Sequence, residues 1–226
     1  VELLVGITVG LLVAAGAAVV ATRQVIEHRR LMLAVQIQQD LRAAADLIQQ
    51  DLRRAGFRGL PSHGVWEPER AGGTVPAKPA LASPYAAVTQ TAPGRDLFYQ
   101  YAKPLAVSGQ INSSNQLAPN EQFGLRLANK TLYLQVGLVN NLPNWQPITD
   151  PDVLEITEFR PVVTTQRVPL DDLCICPAGV ACTLPSLTIQ RVEITLQAVA
   201  RADPQLRRTV QVSEPIRADD LTGACP

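Results

Sequence analysis

The first 22 residues of the chain form an apolar segment that a single acid interrupts near its start. They read VELLVGITVGLLVAAGAAVVAT, and the only charged side chain before Arg23 is Glu2. The stretch from Leu3 to Ala21 contains 19 residues. A helix of that length rises about 28 Å, close to the thickness of the hydrocarbon core of a membrane. The pattern therefore predicts a transmembrane helix with a carboxylate at its beginning.

A carboxylate is out of place in an ordinary membrane anchor. A charge deep in the bilayer costs about 2.5–3.5 kcal/mol. Glu2 is easier to understand if the helix lies in lipid only temporarily and the acid later meets an opposite charge in a protein assembly. A plain single-span anchor is the alternative. A cleaved signal peptide is disfavoured, because no basic stretch precedes the apolar core and no small-x-small cleavage pattern follows it.

Three glycines give this apolar segment a slim surface. Gly6 and Gly10 form a small-xxx-small motif, which permits close approach of two helices but also arises often by chance. Gly16 adds a further small position. Each glycine weakens a helix by about 1 kcal/mol relative to alanine in a soluble host. We therefore predict that Gly6, Gly10 and Gly16 are helix-packing positions.

The helical pattern continues after Arg23 but becomes amphipathic. Apolar residues recur at helical spacing at Ile26, Leu33, Ile37, Leu41, Ala44, Ile48, Leu52 and Ala55. No proline occurs before Pro61, and Gly56 and Gly59 provide a stop. The two halves together predict one helix of roughly 54 residues, about 80 Å long, whose second half packs on a sheet. A coiled coil is less favoured because the stripe departs from strict heptads.

The rest of the chain predicts a Pro-rich connection followed by antiparallel strands. Strand-like alternation occurs at 96–101, 123–127, 131–139, 153–163, 187–200 and 205–212. Asn129–Lys130 is a predicted hairpin turn. The predicted fold class is α+β: one long N-terminal helix packed on an antiparallel β-sheet domain.

The predicted domain organisation has four parts. Residues 1–22 are the apolar helix, 23–57 its amphipathic continuation, 58–95 a Pro-rich irregular connection and 96–226 the β domain. The connection is long for a compact domain, so it is either a contact surface or an excursion packed by its own side chains.

Composition changes this picture only a little. Twenty acidic and twenty basic residues balance, so net charge gives no reason to expect a nucleic-acid partner. Arginines at 23, 29 and 30 follow the apolar segment, and the positive-inside rule alone would place the next region in the cytoplasm. Four cysteines confined to the end of the chain favour an exported domain instead. We expect the exported orientation.

The cysteines are Cys174, Cys176, Cys182 and Cys225. Four cysteines allow three pairings. Because a Cys174–Cys176 bond would close a strained ring, we expect Cys225 to join one of these two and Cys182 the other. A bond from Cys225 would stabilise the C-terminal tail by about 2–4 kcal/mol.

Motifs of enzymes and metal sites are lacking in the sequence. No GxSxG, Walker or HExxH motif is found. The only histidines, His28 and His63, are expected to be solvated, and so are the acidic pairs Asp150/Asp152, Asp171/Asp172 and Asp219/Asp220. We therefore predict a non-enzymatic protein without a cofactor or a metal ion.

Two sequence motifs carry a family resemblance. VELLVGITVGLLV, at the start, resembles the processed N-terminus of type IV pilins and pseudopilins. IQQDLRRAGFRG, residues 48–59, is similar to the helix end of PilW-like proteins, which are related to the J-type pseudopilin of type II secretion. The later segments TLYLQVG, QPITDPDVLEITEF and VEITLQAVAR follow in the order that this group shows.

The resemblance implies a structural role. A methylated phenylalanine would stand three residues before Val1, after removal of a leader. The helix would hold the protein in the bacterial inner membrane with its domain in the periplasm, and would then bundle with the helices of other pilin subunits in a filament. Glu2 would set the register by pairing with the amino terminus of an adjacent subunit.

The resemblance leaves the type of filament open. The chain would be a main subunit or a PilW-like minor subunit that primes a pilus, with a type II secretion pseudopilin as an alternative. Cell adhesion through the Pro-rich connection is a further hypothesis. The rival from another class is a periplasmic binding domain that uses residues 3–21 only as a tether.

Overall fold

The computed structural model of this chain describes residues 1–65, 78, 80–91, 96–104, 109–170, 172 and 186–222, with backbone only for 217–222. Within these ranges the chain forms one long helix, two short 3-10 helices and eight strands. They are α1 (Glu2–Leu52), 3-10 helices Pro61–Gly64 and Pro119–Glu121, β1 (Thr89–Gln90), β2 (Asp96–Gln100), β3 (Gln122–Ala128), β4 (Thr131–Val139), β5 (Leu142–Pro147), β6 (Leu154–Pro169), β7 (Ser186–Ala200) and β8 (Arg207–Thr222).

The prediction of a single long N-terminal helix is confirmed. Helix α1 contains 51 residues, which corresponds to about 77 Å. It ends at Leu52, three residues before the predicted end at Ala55. The Arg54 and Ala55 amides donate to carbonyls three residues earlier in the chain, whereas α-helical amides donate to carbonyls four residues earlier. The Gly56 amide instead donates to the Gln100 carbonyl of β2 at 2.8 Å. The chain thus leaves the helix through a tightened turn that connects it to the sheet.

The apolar stripe of the second half of α1 packs as predicted from residue 37 onward. Its buried members are Ile37, Leu41, Ala44, Ile48, Leu52 and Ala55. The first two members differ: Ile26 is exposed and Leu33 is only half-buried. Their pattern is helical, but the domain does not extend far enough along the helix to cover them. The helix packs mainly against β7 and β8.

The predicted antiparallel β-sheet domain is confirmed, and its described strands form two sheets. One sheet has the order β1-β2-β3-β4-β5 and the other the order β6-β7-β8. Asn129 and Lys130 form the predicted β3–β4 turn with positive φ angles of 49° and 63°. A second turn of this kind at Asn140–Asn141 leads into β5, which the sequence pattern did not predict. Both sheets contribute to one core beneath α1, which includes Leu125 and Leu196.

The second sheet is built from three long strands at the predicted positions. Strands β6 and β7 pair without interruption from Glu158↔Gln197 to Pro169↔Ser186, and β8 returns along β7. Both β6 and β8 continue well past the predicted ends at residues 163 and 212. These extensions are polar and exposed on β6, so no apolar alternation marks them in the sequence.

The Pro-rich connection is described only in part. Its described residues include the 3-10 helix Pro61–Gly64 and the short strand β1, while 66–77, 79 and 92–95 lie outside the described residues. Tyr85 within it is fully buried and its hydroxyl donates to Glu121 at 2.9 Å. Glu121 also accepts the Asn112 side-chain amide and the Lys103 and Ala118 backbone amides at 2.8–2.9 Å. This buried carboxylate joins the connection to the loop before β3.

A second buried carboxylate fastens the end of α1 to β2. The Asp51 side chain accepts hydrogen bonds from the hydroxyls of Tyr99 and Tyr101, the latter at 2.7 Å. Burial, and then the charge of Asp51, raises the pKa of both tyrosines, so both hydroxyls remain donors at neutral pH. A third carboxylate, Glu214 of β8, accepts from Gln49 and Arg53 of the helix end.

We predict that Asp51→Ala destabilises the full chain by about 2–4 kcal/mol, because it leaves two buried hydroxyls without their acceptor. Tyr99→Phe and Tyr101→Phe should each cost less, since one donor is lost and the other keeps the carboxylate. Tyr133→Phe is the matched control, because Tyr133 is a half-buried residue of β4. Urea unfolding of the detergent-solubilised chain measures all four. A free-energy change for Asp51→Ala no larger than that of the control would contradict this role.

The Glu214 contact predicts a defined pH dependence. Burial raises the pKa of Glu214, but hydrogen bonds from Gln49 and Arg53 outweigh this effect, and the pKa falls below its ordinary value of 4.5. A lowered carboxyl pKa stabilises the fold above the unfolded pKa, and the benefit disappears as the pH falls through the folded pKa. At pH 7 we expect Glu214→Gln to be about 1–2 kcal/mol less stable than wild type. Unfolding measured between pH 7 and 3 should show this difference shrinking below pH 4.5; a constant difference would rule out the ionised contact.

Candidate functional site

The first half of α1 projects beyond the domain and is exposed along its whole length. Every residue from 1 to 32 is exposed, and Leu3 and Leu12 each leave more than 70% of their surface uncovered. The helix contains an 18-residue window that is long and apolar enough to cross a membrane, and none of that window is buried by the domain. Such a continuous apolar surface is unfavourable in water. Lipid or other helices must cover it.

The polar side chains inside the apolar segment are satisfied within the helix. The Thr8 hydroxyl donates to the Val5 carbonyl at 2.9 Å, and the Thr22 hydroxyl to the Ala18 carbonyl at 2.8 Å. This back-bonding leaves no hydroxyl in need of water. The apolar segment, residues 1–22, is therefore chemically suited to an apolar surrounding, with Glu2 as its exception.

Glu2 lies in the first turn of α1, where a carboxylate interacts favourably with the helix dipole by about 0.3–1 kcal/mol. Its side chain is exposed. Among the ion pairs that join described residues, none includes Glu2.

Helix geometry brings Glu2, Gly6 and Gly10 together on one face. Successive residues of an α-helix are rotated by about 100°, so residues four apart differ by only about 40°. Gly16 lies 14 residues after Glu2, a net rotation of about 320°, so it is within about 40° of Glu2 and belongs to the same broad face. A Cβ atom at any of the three glycines would meet nothing within 4 Å. Among the described residues, none packs against these three glycines.

An ion pair joins α1 to the domain shortly after the apolar segment ends. Arg30 Nε contacts Asp203 Oδ2 at 3.0 Å, in the turn between β7 and β8. Both side chains are partly exposed, and such pairs contribute about 0–1 kcal/mol. This contact orients the helix more than it stabilises it.

All four predicted disulfide residues, Cys174, Cys176, Cys182 and Cys225, lie outside the described residues. The segments that contain these cysteines border strand residues that are neighbours in the second sheet. Pro169 and Ser186 are Cα partners at one end of the β6–β7 ladder, and Ser186 is also the partner of Thr222. The disulfide pairing stays a prediction.

The other sequence-derived candidates take up separate positions. His28 is exposed on α1, and His63 is half-buried in the 3-10 helix Pro61–Gly64. Asp152 pairs with Arg201 at 2.6 Å, and Asp150 accepts the Asp152 amide within the same turn. Among the residues that the structure describes, no group of three or more His, Cys, Asp or Glu side chains could hold a metal ion.

A basic cleft at the end of α1 was not predicted. It has a volume of about 630 Å³ and is lined by Arg53, Arg54 and Arg58 together with Lys103, which follows β2. The arginines are close in sequence, so their clustering was visible there. Lys103 is 45 residues beyond Arg58, and only the pairing of β2 with the chain after α1 brings it to the same cleft.

Comparison with known proteins gave one family match. Residues 30–216 match the model of the family described as "Prepilin peptidase-dependent protein B". No curated protein and no solved structure matched the chain. The matched range begins after the apolar segment, so it rests on the amphipathic half of α1 and on the two sheets. The apolar segment with Glu2 is thus an observation independent of the match.

The glycine geometry predicts how substitutions affect stability. Gly10→Leu should leave the unfolding free energy of the domain unchanged within about 0.5 kcal/mol, because no described residue elsewhere in the chain lies within 4 Å of a Cβ atom at this position. Gly137→Ala is the contrasting control: its φ is +85°, and a Cβ would lie 2.9 Å from Asn120 Cα. Urea unfolding of the detergent-solubilised chain, followed by tryptophan fluorescence, compares the two. Destabilisation by Gly10→Leu as large as that by Gly137→Ala would show that Gly10 packs within the fold.

Proposed function

The chain belongs to the prepilin peptidase-dependent protein B family, and from this premise we propose that it is a structural, non-enzymatic subunit of a type IV pilus-like filament. The observation that carries the proposal is the exposed apolar half of α1, with Glu2, Gly6 and Gly10 on one face. A pilin-like protein with such a helix has a surface that its own domain cannot cover. Neighbouring subunits of a filament would cover it.

In this proposal the apolar helix exchanges one apolar surrounding for another. Before assembly, it lies in the inner membrane with the domain in the periplasm. During assembly, the same surface leaves lipid and packs against the helices of other subunits. Little hydrophobic free energy is gained or lost in such an exchange, so packing and polar contacts decide the register.

Glu2 is the residue that we propose sets this register. Its carboxylate has no cationic partner within the described part of the chain, and it would be neutralised by the amino terminus of an adjacent subunit. Gly6 and Gly10 follow it on the same face, where the absence of side chains lets a second helix approach closely. Gly16 lies within about 40° of Glu2 around the helix and would extend the same contact along it.

We propose further that the subunit is of the PilW-like minor type, which helps to prime a filament. The support is the motif at residues 48–59, whose last helical turn, Gly56 bend and exposed Phe57 form the exit of α1 in the structure. A main-subunit role and a pseudopilin role in type II secretion are the alternatives. N-terminal methylation, the two disulfides and adhesion through the Pro-rich connection remain predictions.

A membrane tether is the competing function from another class. In that case residues 3–21 only hold a periplasmic binding domain at the membrane, and any apolar span would serve. The proposed filament role requires the particular face that carries Glu2, Gly6 and Gly10. Replacing residues 3–21 by an unrelated span should therefore abolish incorporation into filaments if the proposal is correct, and leave function intact if the tether is correct.

The register role predicts that Glu2→Gln lowers incorporation into filaments by about tenfold, equivalent to about 1.4 kcal/mol. The variant should still be folded and inserted in the membrane, because Glu2 has no partner within the described chain. Glu27→Gln is the matched control, since Glu27 is an exposed acid further along the same helix. Quantitative immunoblotting of sheared filaments and of membranes compares the pools. Equal incorporation of Glu2→Gln and Glu27→Gln would refute the register role.

A further inference from the structure

The basic cleft is a concave surface beyond the end of α1. It is enclosed by the helix exit, by the 3-10 helix Pro61–Gly64 and by the chain that follows β2. Its volume of about 630 Å³ falls in the range of sites that hold several side chains of a ligand. None of the proposed helix-packing residues lies in it. The cleft is thus separate from the apolar surface that the proposed filament would cover.

Most cations of the cleft form no ion pair with a described carboxylate, although Arg54 forms a hydrogen bond with the Tyr101 side chain. Arg53 pairs with Glu214 at 3.1 Å. No described carboxylate forms an ion pair with Arg54, Arg58 or Lys103. Lys103 Nζ lies instead 4.6 Å from the centre of the Phe123 ring. Three cations around one concavity favour an anionic occupant.

One of these cations is held in a fixed position. Arg58 Nη2 donates to the Leu81 carbonyl at 2.8 Å and to Asn115 Oδ1 at 3.1 Å. Its guanidinium also packs against Gly64, where a Cβ atom would lie only 2.3 Å from Nη1. A positively charged group that is already ordered loses little conformational entropy when an anion binds. The cleft is therefore preorganised on this side.

Apolar surface lies beside the charges. Phe57 is 42% exposed and Val65 is 54% exposed, and both line the cleft together with Pro61 and Pro104. A simple anion would leave this surface in water. A ligand that carries apolar side chains next to its carboxylates would cover the apolar surface and neutralise the charges together.

The position of the cleft argues against a lipid headgroup. Arg53 lies 31 residues beyond Thr22 on the same helix, which is about 46 Å along its axis. With the apolar segment in the bilayer and the helix upright, the cleft is far from the membrane surface. A nucleic acid would be expected to use an extended basic track along its phosphates, and a chain of zero net charge with a single basic cleft among its described residues does not fit this description.

We propose that this cleft binds an extended segment of a neighbouring subunit in which carboxylates alternate with apolar side chains. The identity of the occupant as a subunit rests on the proposed function; the chemistry of the segment rests on the cleft alone. The carboxylates contact Arg54 and Lys103, with Arg58 as the ordered anchor, and the apolar side chains cover Phe57 and Val65. The cleft thereby adds a contact between domains to the contact between helices.

Fluorescence anisotropy with peptide probes tests the proposal on the detergent-solubilised full chain. The probe is the hexapeptide DLDLDL with an uncharged fluorophore; NLNLNL lacks its charges and DSDSDS lacks its apolar side chains. We expect DLDLDL to bind at least about tenfold more tightly than either analogue, equivalent to about 1.4 kcal/mol or more. Its affinity should fall as salt rises, because exposed charges are screened.

Paired variants locate the binding. Arg54→Gln with Lys103→Gln removes two cations of the cleft and should weaken DLDLDL binding about tenfold, equivalent to about 1.4 kcal/mol. Arg42→Gln with Arg207→Gln removes two exposed arginines elsewhere and should leave binding unchanged. Equal binding by both double variants would overturn the proposal. Binding of DSDSDS as tight as that of DLDLDL would also overturn it. So would binding of phosphatidylglycerol vesicles or of a 20-nucleotide single strand, in place of the peptide, that depends on the cleft residues.

The result of the peptide-binding test does not depend on the filament role. Peptide binding in detergent needs no assembled filament, whereas incorporation of the Glu2 variant is measured in cells. Cleft-dependent peptide binding by a chain that never enters filaments would refute the subunit role and keep the site. Normal filament incorporation without any peptide binding would refute the site and keep the subunit role.

Discussion

The rest of the structure depends on one constraint: a single continuous helix must serve two different surroundings. Its first half exposes an apolar surface that no part of the described domain covers, and its second half buries Ile37, Leu41 and Ile48 in a core shared by two sheets. The helix runs without a break from Glu2 to Leu52, so the apolar segment and the amphipathic segment that packs on the sheets are parts of one element.

The domain holds its part of the helix by burial and by charge. Apolar packing provides most of the free energy, while polar contacts fix the rotation and end of the helix. Asp51 binds two tyrosine hydroxyls of the first sheet, and Glu214 of the second sheet binds Gln49 and Arg53. The last helical turn is thus joined to both sheets, and the chain that leaves it forms one wall of the basic cleft.

Sequence periodicity predicted much of this fold, and its failures have physical causes. The helix, its buried stripe and six strand positions follow from local spacing of apolar residues. The split into two sheets and the strand β5 do not, because β5 is mostly exposed and its register depends on the Asn140–Asn141 turn. Glu2 and the glycines could be proposed as an assembly face from the sequence, through their positions in the apolar segment and its resemblance to pilins. The cleft could not, since Lys103 reaches Arg54 and Arg58 only through long-range pairing of the chain.

In a filament, we propose, neighbouring subunits cover the apolar half of α1. The most direct test is to shear cells that express the tagged full-length protein and to quantify this chain in purified filaments by mass spectrometry, with electron microscopy of the same fraction. Our account predicts that the chain is found in the filaments, in small amounts beside another pilin if it is a minor subunit. Recovery of the protein only from membranes, with none in any filament, would contradict the account and favour the tether.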